Sequence, residues 1–203
     1  MADHYFTKKP TTSSSPKSWT YTLRGSKLQF TTDRGVFSKN EVDFGSRLLV
    51  ESFEEPAIQG PILDVGCGYG PIGLAIAKSL PSRLVHMIDI NERAVQLASE
   101  NAKINRVTNT KIYESNLFES VTEEGFAAIL TNPPIRAGKQ IVHAIFEESF
   151  HRLKENGALW VVIQKKQGAP SAKKKLEELF GEVHVVMKDK GYFILKAEKI
   201  DSL

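Results

Sequence analysis

From Pro61 onward the chain alternates between short apolar runs and longer segments whose apolar residues recur every three or four positions. Apolar runs that do not alternate mark strands covered on both faces, and the periodic segments between them read as helices laid on those faces. The strands fall at Pro61 to Val65, Leu84 to Ile90, Thr110 to Tyr113, Phe126 to Thr131 and Ala158 to Ile163. The helices fall at Ile72 to Leu80, Glu92 to Ile104, Gln140 to Leu153 and Ala172 to Phe180, the third stopping short of Gly157. Repeated strand–helix units with right-handed crossovers give a parallel sheet with helices on both faces. Two further strands, Val183 to Met187 and Tyr192 to Ala197, meet near Asp189-Lys190-Gly191, where no crossover helix fits. They form an antiparallel pair and put one antiparallel strand at that edge. The expected fold is α/β and Rossmann-like, with a mostly parallel seven-stranded sheet.

The chain before Pro61 follows a different pattern. Trp19 to Leu23 and Leu28 to Thr31 alternate around Gly25-Ser26 and read as a β-hairpin. Asn40 stands where it could cap a helix reaching about Phe53, with Val42, Leu49 and Phe53 among its apolar positions. Thr7 to Ser18 is rich in Ser, Thr, Pro and Lys and reads as a tail, flexible or ordered on contact. The expected organisation is an extension over residues 1–55 packed on a ligand-binding domain over residues 56–203.

Composition narrows this only slightly. With 41% hydrophobic and 25% charged residues, 203 residues suit one globular core. The single cysteine, Cys67, excludes an internal disulfide and fits a cytoplasmic setting. No apolar run approaches the ~18 residues of a membrane helix, so no membrane partner is expected. The polar start, with Asp3 and His4, does not read as a secretory signal. A net charge of +3 with a pI near 8.9 is compatible with a nucleic-acid partner without requiring one. His143, His151 and His184 lack metal-ligand spacing, and no metal site is expected.

The chemistry concentrates where strands end. Strand Ile62 to Val65 runs into Gly66-Cys67-Gly68-Tyr69-Gly70 and then a helix. Glycines there permit a tight turn and let the backbone approach a ligand beyond the carboxyl end of the sheet. Asp89 closes the next strand, where a carboxylate can accept hydrogen bonds from both ribose hydroxyls, so an adenosine-containing cofactor is expected. Gly68-Tyr69-Gly70-Pro71-Ile72-Gly73 matches the dinucleotide fingerprint GxGxxG, but Gly66 directly follows the strand and Pro71 falls within the pattern, so the register argues against that reading. Asp64 precedes the first glycine by two residues, where it suits a ligand with an amine, such as the amino-acid end of S-adenosylmethionine. The alternative for Asp64 is an acid that braces the loop or the helix. Cys67, with no partner cysteine or nearby base, reads as a small loop residue.

Strand Phe126 to Thr131 delivers Asn132-Pro133-Pro134 to the same edge. Two prolines stiffen the backbone and remove two N–H donors. The Asn132 side-chain oxygen and the Pro133 carbonyl are left as acceptors that can converge on one amino group. An exocyclic amine is a poor nucleophile because its lone pair is delocalised into the ring. Acceptors on its hydrogens favour a pyramidal nitrogen and aim the lone pair, and near-attack positioning contributes at best ~7–11 kcal/mol. A plain structural turn is the other reading of the motif.

Asp64-Val65-Gly66-Cys67-Gly68-Tyr69-Gly70, Asp89 and Asn132-Pro133-Pro134 together resemble the class I S-adenosylmethionine-dependent methyltransferases that modify amino nitrogens. Gly35-Val36-Phe37-Ser38-Lys39 followed by Asp43-Phe44-Gly45-Ser46 is similar to the ribosomal small-subunit guanine-N2 methyltransferase family, the RsmC-like group, over about Arg34 to Ala197. The resemblance implies S-adenosyl-L-methionine as cofactor, held by Asp64, Gly66, Gly68, Gly70, Asp89 and Ile90, with Asn116 meeting the adenine. It places Asn132, Pro133 and Pro134 at the target amine, and Phe37 near the cofactor or the flipped base, unless Phe37 is core packing. Family members commonly carry an aromatic after Asn-Pro-Pro that stacks on the base. Here Ile135 stands there, an aliphatic side chain that can still sandwich a base. The larger relatives carry a whole preceding domain.

The implied partner is RNA, ribosomal RNA or the small ribosomal subunit. Arg136 and Lys139, close to Asn132, are its candidate contacts. Lys165-Lys166 and Lys173-Lys174-Lys175 are further cations, the last three equally readable as a solvated helix face. His4, Tyr5, Phe6 and Trp19 offer rings for base stacking, Trp19 being the better candidate for the core. The target base must be single-stranded or flipped. The same acceptor chemistry serves adenine N6 or protein glutamine, and an RNA-binding factor that retains cofactor without catalysis would carry the same loop.

Overall fold

The computed structural model describes residue 8 and residues 12–38 and 41–200. The readings of His4, Tyr5, Phe6 and Asn40 lie outside these described residues. Seven strands form the main sheet: β3 (Ile62–Val65), β4 (Val85–Asp89), β5 (Thr110–Glu114), β6 (Phe126–Thr131), β7 (Leu153–Gln164), β8 (Val183–Asp189) and β9 (Tyr192–Glu198). Their order is β5-β4-β3-β6-β7-β9-β8, with β3 to β7 paired in parallel and β9 antiparallel to both neighbours. The expected antiparallel strand is therefore β9, lodged between β7 and the outermost β8. The turn that reverses β8 into β9 is Lys190-Gly191, both at positive φ (45° and 79°), the type I′ geometry that matches strand twist.

The helices are α1 (Phe44–Ser52), α2 (Pro71–Ser79), α3 (Glu92–Ile104), α4 (Lys139–Arg152) and α5 (Ala169–Phe180). Two buried clusters divide them between the sheet faces. One joins Ile62, Leu130 and Trp160 to Leu49, Leu74 and Leu97, so α1, α2 and α3 lie on that face. The other joins Leu63, Ile129 and Leu159 to Phe146 and Leu176, so α4 and α5 cover the opposite face. Alternate residues of a strand point to opposite faces, so the two clusters interleave along each strand. No helix among the described residues is long and apolar enough to cross a membrane.

The amino-terminal segment packs on the α1–α3 face. A separate hairpin, β1 (Lys17–Leu23) and β2 (Ser26–Thr32), buries Leu23, Leu28 and Phe30 in that cluster. Leu23 pairs with Ser26, so the turn is Arg24-Gly25 rather than Gly25-Ser26. Both turn residues have positive φ, and Arg24 then reaches the carbonyls of Val50 (2.9 Å) and Phe53 (2.7 Å) at the end of α1, where a cation is favoured. The residue that caps α1 is Asp43, whose carboxylate accepts from Gly45 N (3.0 Å) and Ser46 N (3.2 Å). It answers to the preference for Asp at this position, three residues later than the cap expected at Asn40. Trp19 packs edge-on against Tyr69, as its core reading expects.

The outer edge of β2 is closed by side chains of α3. Asn101 accepts from Thr31 N (2.7 Å) and donates to the carbonyls of Thr31 (2.9 Å) and Tyr69 (2.8 Å). One turn later Asn105 makes the same reciprocal pair with Gln29 (2.8 and 2.7 Å). Two amides at i and i+4 thus satisfy an edge strand as a third strand would. Asn101 is fully buried, and its loss would leave buried backbone groups unpaired at ~1–3 kcal/mol each. Asn101→Ala is expected to destabilise the protein by about 3 kcal/mol in denaturant unfolding. A change below ~1 kcal/mol would show that water replaces the amide there.

Candidate active site

The carboxyl ends of β3, β4 and β6 open into one cavity of about 360 Å³, within the size range of cofactor sites. Its floor is the loop after β3. Gly66 and Gly68 have positive φ (76° and 57°), and a Cβ built on either meets nothing within 4 Å. The space a side chain would fill is the space open to a ligand. Gly70, also at positive φ, is the N-cap of α2, with Pro71 at the first helical position. A Cβ on Gly70 would come within 2.8 Å of Leu74, so this glycine serves the close seating of loop and helix instead of lining the cavity.

Asp89 lies at the end of β4 in the cavity wall. Its carboxylate accepts from Gly68 N (2.8 Å) and Asn91 N (2.9 Å), which ties the glycine loop to the second strand. Burial pushes its pKa up to about 6, partly offset by those N–H donors. The backbone N–H of Ile90 also bonds to this carboxylate, and of its roughly four lone-pair sites the remainder is open to a ribose hydroxyl. Ile90 and Asn116 line the same wall, with Leu117 beside them. Asn116 donates to Glu119 Oε1 (2.7 Å), which leaves its amide oxygen as the acceptor.

Asp64 departs from the expectation that it faces the ligand. Alternation along β3 turns it toward the α2 side, where Oδ2 accepts from Gly73 N (2.8 Å) in the first turn of α2. It is 1% exposed and outside the cavity wall. Burial, with a contribution from Asp89, raises its pKa to about 7, and its Oδ1 is buried without a partner. The bracing reading describes this geometry. Cys67 lines the cavity as a buried thiol whose pKa burial raises well above the usual value, so it stays protonated.

Asn132, Pro133 and Pro134 form the opposite wall, with Phe37 at the rim, 42% exposed. The amide nitrogen of Asn132 donates to Ser46 Oγ (3.1 Å) and to both carboxylate oxygens of Asp43 (3.4 Å each). A carboxylate only accepts, so the NH2 of Asn132 must face α1 and its oxygen must face away from Asp43. Asp43 and Ser46 stood in the sequence as part of a recognisable block and not as site residues. Their role becomes visible only once α1 is seen to start beside β6. Pro133 O accepts from Ile135 N (2.8 Å) across Pro134 (φ −75°, ψ 79°), an inverse γ-turn that leaves one lone pair of the carbonyl. Ile135 is half-buried against the α4 side of the core, while Arg136 and Lys139 are exposed beyond the cavity wall. Lys165 and Lys166 lie in the 3-10 turn that follows β7, and Lys173 to Lys175 lie on α5, where Lys173 pairs with Glu177 and Lys175 with Glu147, the solvated helix face allowed for these three. Among the described residues no cluster of His, Cys, Asp or Glu could hold a metal ion.

Residues 27–196 match the methyltransferase small domain family. The chain is 62% identical over 201 residues to the uncharacterized protein YbxB of Bacillus subtilis, covering 98% of this chain and all of that one. It is 32% identical over 187 residues to ribosomal RNA small subunit methyltransferase C of Vibrio cholerae, covering 90% of this chain and 53% of the relative. With ribosomal RNA large subunit methyltransferase G of Shewanella halifaxensis the identity is 33% over 197 residues, covering 91% and 46%. The chain thus spans about half the length of these two named relatives. The solved 16S rRNA N2 methyltransferase RsmC of T. thermophilus, in complex with AdoMet and guanosine, superposes with a TM-score of 0.81 at 27% identity, over 94% of this chain and 52% of that one. The glycine loop, the acid closing β4 and the Asn-Pro-Pro wall face one cavity on this shared fold, and the chain belongs to the methyltransferase small domain family of class I S-adenosylmethionine-dependent methyltransferases.

Proposed function

We propose that this protein methylates the exocyclic amine of a base in RNA, guanine N2 of ribosomal RNA, and that it works in the cytoplasm on ribosomal RNA or the small ribosomal subunit. The observation that carries the reading is Asn132, whose amide is held from behind by Asp43 and Ser46 so that its oxygen is presented away from them. The cavity suits S-adenosylmethionine: the cradle at Gly66 and Gly68, the buried carboxylate of Asp89 and the apolar wall at Ile90 and Leu117 match a ribose and an adenine. When bound, the cofactor supplies a methyl group on a sulfonium centre.

In this reading Asp89 accepts from the ribose hydroxyls, Ile90 and Asn116 bound the adenine, and Phe37 closes over the ligand. Gly70 and Asp64 act one step back by fixing α2 against the loop. Asn132 O and the free lone pair of Pro133 O accept from the two hydrogens of the target amine, and Pro134 keeps that loop rigid. Holding the amine in this way pyramidalises the nitrogen and keeps its lone pair in line, and the proton leaves to solvent afterwards. Ile135 flanks the base, Arg136 and Lys139 meet its phosphates, and residues 1–55 form an extension on a core of residues 56–203.

The test is transfer of labelled methyl from S-adenosylmethionine to ribosomal RNA and to small subunits from cells lacking this gene, followed by nucleoside analysis. The expected result is label in N2-methylguanosine. Label in N6-methyladenosine, or in protein, would keep the amine chemistry and replace the substrate; cofactor binding with no transfer to any acceptor would favour a non-catalytic RNA-binding role.

A further inference from the structure

We propose that Arg47 and Lys190, set around the ring of Phe44, form a phosphodiester subsite for the RNA strand beside the target base. The proposal rests on the reading of the substrate as RNA. Phe44 directly follows Asp43, the residue that holds Asn132, so the cluster begins one residue from the reacting edge. The Arg47 guanidinium lies 5.4 Å from the ring centres of both Tyr21 and Phe44, and Lys190 Nζ lies 4.7 Å from that of Phe44. Arg47 also donates to Tyr21 OH, while its Nε is buried without a hydrogen-bond partner.

Neither cation forms an ion pair with a carboxylate among the described residues. Arg152, Lys173, Lys175 and Lys196, by contrast, each have an acidic partner. The Asp43 carboxylate is engaged by Asn132 and the first turn of α1 and has no bond to Arg47. The Arg47 guanidinium is also held in place, and the backbone that carries Lys190 is fixed. Two rings flank the guanidinium, an arrangement Arg favours and Lys does not reproduce. Lys190 sits in a two-residue type I′ turn whose next carbonyl, Gly191 O, accepts from Lys165 N (2.8 Å). A fixed guanidinium and an ammonium beside the same ring, neither paired with a carboxylate, suit an anion with several oxygens, and on an RNA substrate that is the phosphate backbone.

The experiment is equilibrium binding of a short end-labelled single-stranded RNA across a salt series, with Arg47→Met, Lys190→Ala and the double variant. Methionine keeps apolar packing on Tyr21 and Phe44 while removing the charge. Each lost phosphate contact is expected to reduce the slope of log affinity against log salt by about 0.7 and to weaken binding about fivefold at ~0.1 M salt. Cofactor affinity and thermal midpoint serve as the fold control, and Lys103→Ala, at the far end of α3, should leave the slope unchanged. A double variant with the wild-type slope overturns the subsite, as does a slope loss equal to that of Lys103→Ala, or wild-type protein that binds no RNA. If the slope falls as expected but the wild type methylates no RNA, the subsite stands and the proposed reaction fails.

Discussion

Asn132→Ala is expected to lower kcat for methyl transfer by about 10²–10³-fold, the scale set by losing one preorganised polar contact to a reacting group. The cofactor dissociation constant should change by less than about threefold, because an acceptor that acts only on the target amine spends its effect in the transition state. The reason for a large effect lies behind the residue. Three acceptor atoms at the start of α1, two on its cap Asp43 and one on Ser46, take the Asn132 amide hydrogens, so its oxygen is fixed before substrate arrives and no reorganisation is needed at reaction. Equilibrium binding of S-adenosylhomocysteine together with single-turnover transfer separates the two quantities. An unchanged single-turnover rate would remove Asn132 from the chemistry.

The same geometry makes Asp43 a positioning residue. Asp43→Asn keeps a good N-cap for α1, so stability should stay within ~1 kcal/mol. The new amide, however, sets an NH2 against the NH2 of Asn132. Relief by rotation would present a donor to the target amine in place of an acceptor. Turnover should therefore fall about as far as in Asn132→Ala, and the double variant should be no slower than either single one, as for residues acting as a unit. Multiplying losses would mean that Asp43 acts on its own.

What the sequence revealed depends on how local the cause is. The bounds expected for α3 and β6 hold because each is closed by its own residues: Asn91 caps α3, and Asn132-Pro133 ends β6. Residues 189–191 were legible as a turn for the same reason. The Arg24-Gly25 turn was not, since nothing local announces a left-handed arginine; what favours it is Arg24 reaching the end of α1. The sequence offers both Asp64 and Asp89 as ligand-facing acids, Asp64 toward an amine and Asp89 toward ribose hydroxyls. Strand alternation and the position of α2 send one into a helix turn and leave the other in the cavity, a distinction that needs the packed sheet. The Asn101 and Asn105 ladder on β2 spans about seventy residues of chain and carries no signal beyond two polar residues on a helix.

Asp89 carries the second large effect, and its sign follows from burial. The pKa of this carboxyl group is pushed up to about 6, so in the cofactor-free protein it takes up its proton as pH falls through about 6. Ribose hydroxyls donate best to the ionised form. Cofactor affinity should therefore be flat above about pH 7 and fall toward tenfold per unit well below about pH 6, one proton being taken up as cofactor leaves. Stability of the cofactor-free protein runs the other way. The native carboxyl groups of Asp64 and Asp89 hold protons that the unfolded chain releases near pH 4, so this contribution is present at low pH and lost as pH rises through about 6 to 7. Saturating S-adenosylhomocysteine should consequently raise the melting temperature more at about pH 8 than at about pH 5.5. Asp89→Asn should weaken cofactor binding by about 10–100-fold near neutrality, the loss of ~1.5–3 kcal/mol from bonds to a charged acceptor, and should flatten the pH profile. A profile as steep in Asp89→Asn as in the wild type would assign the titration to Asp64, and with it the conclusion that the ionisation of the braced α2 turn governs cofactor affinity.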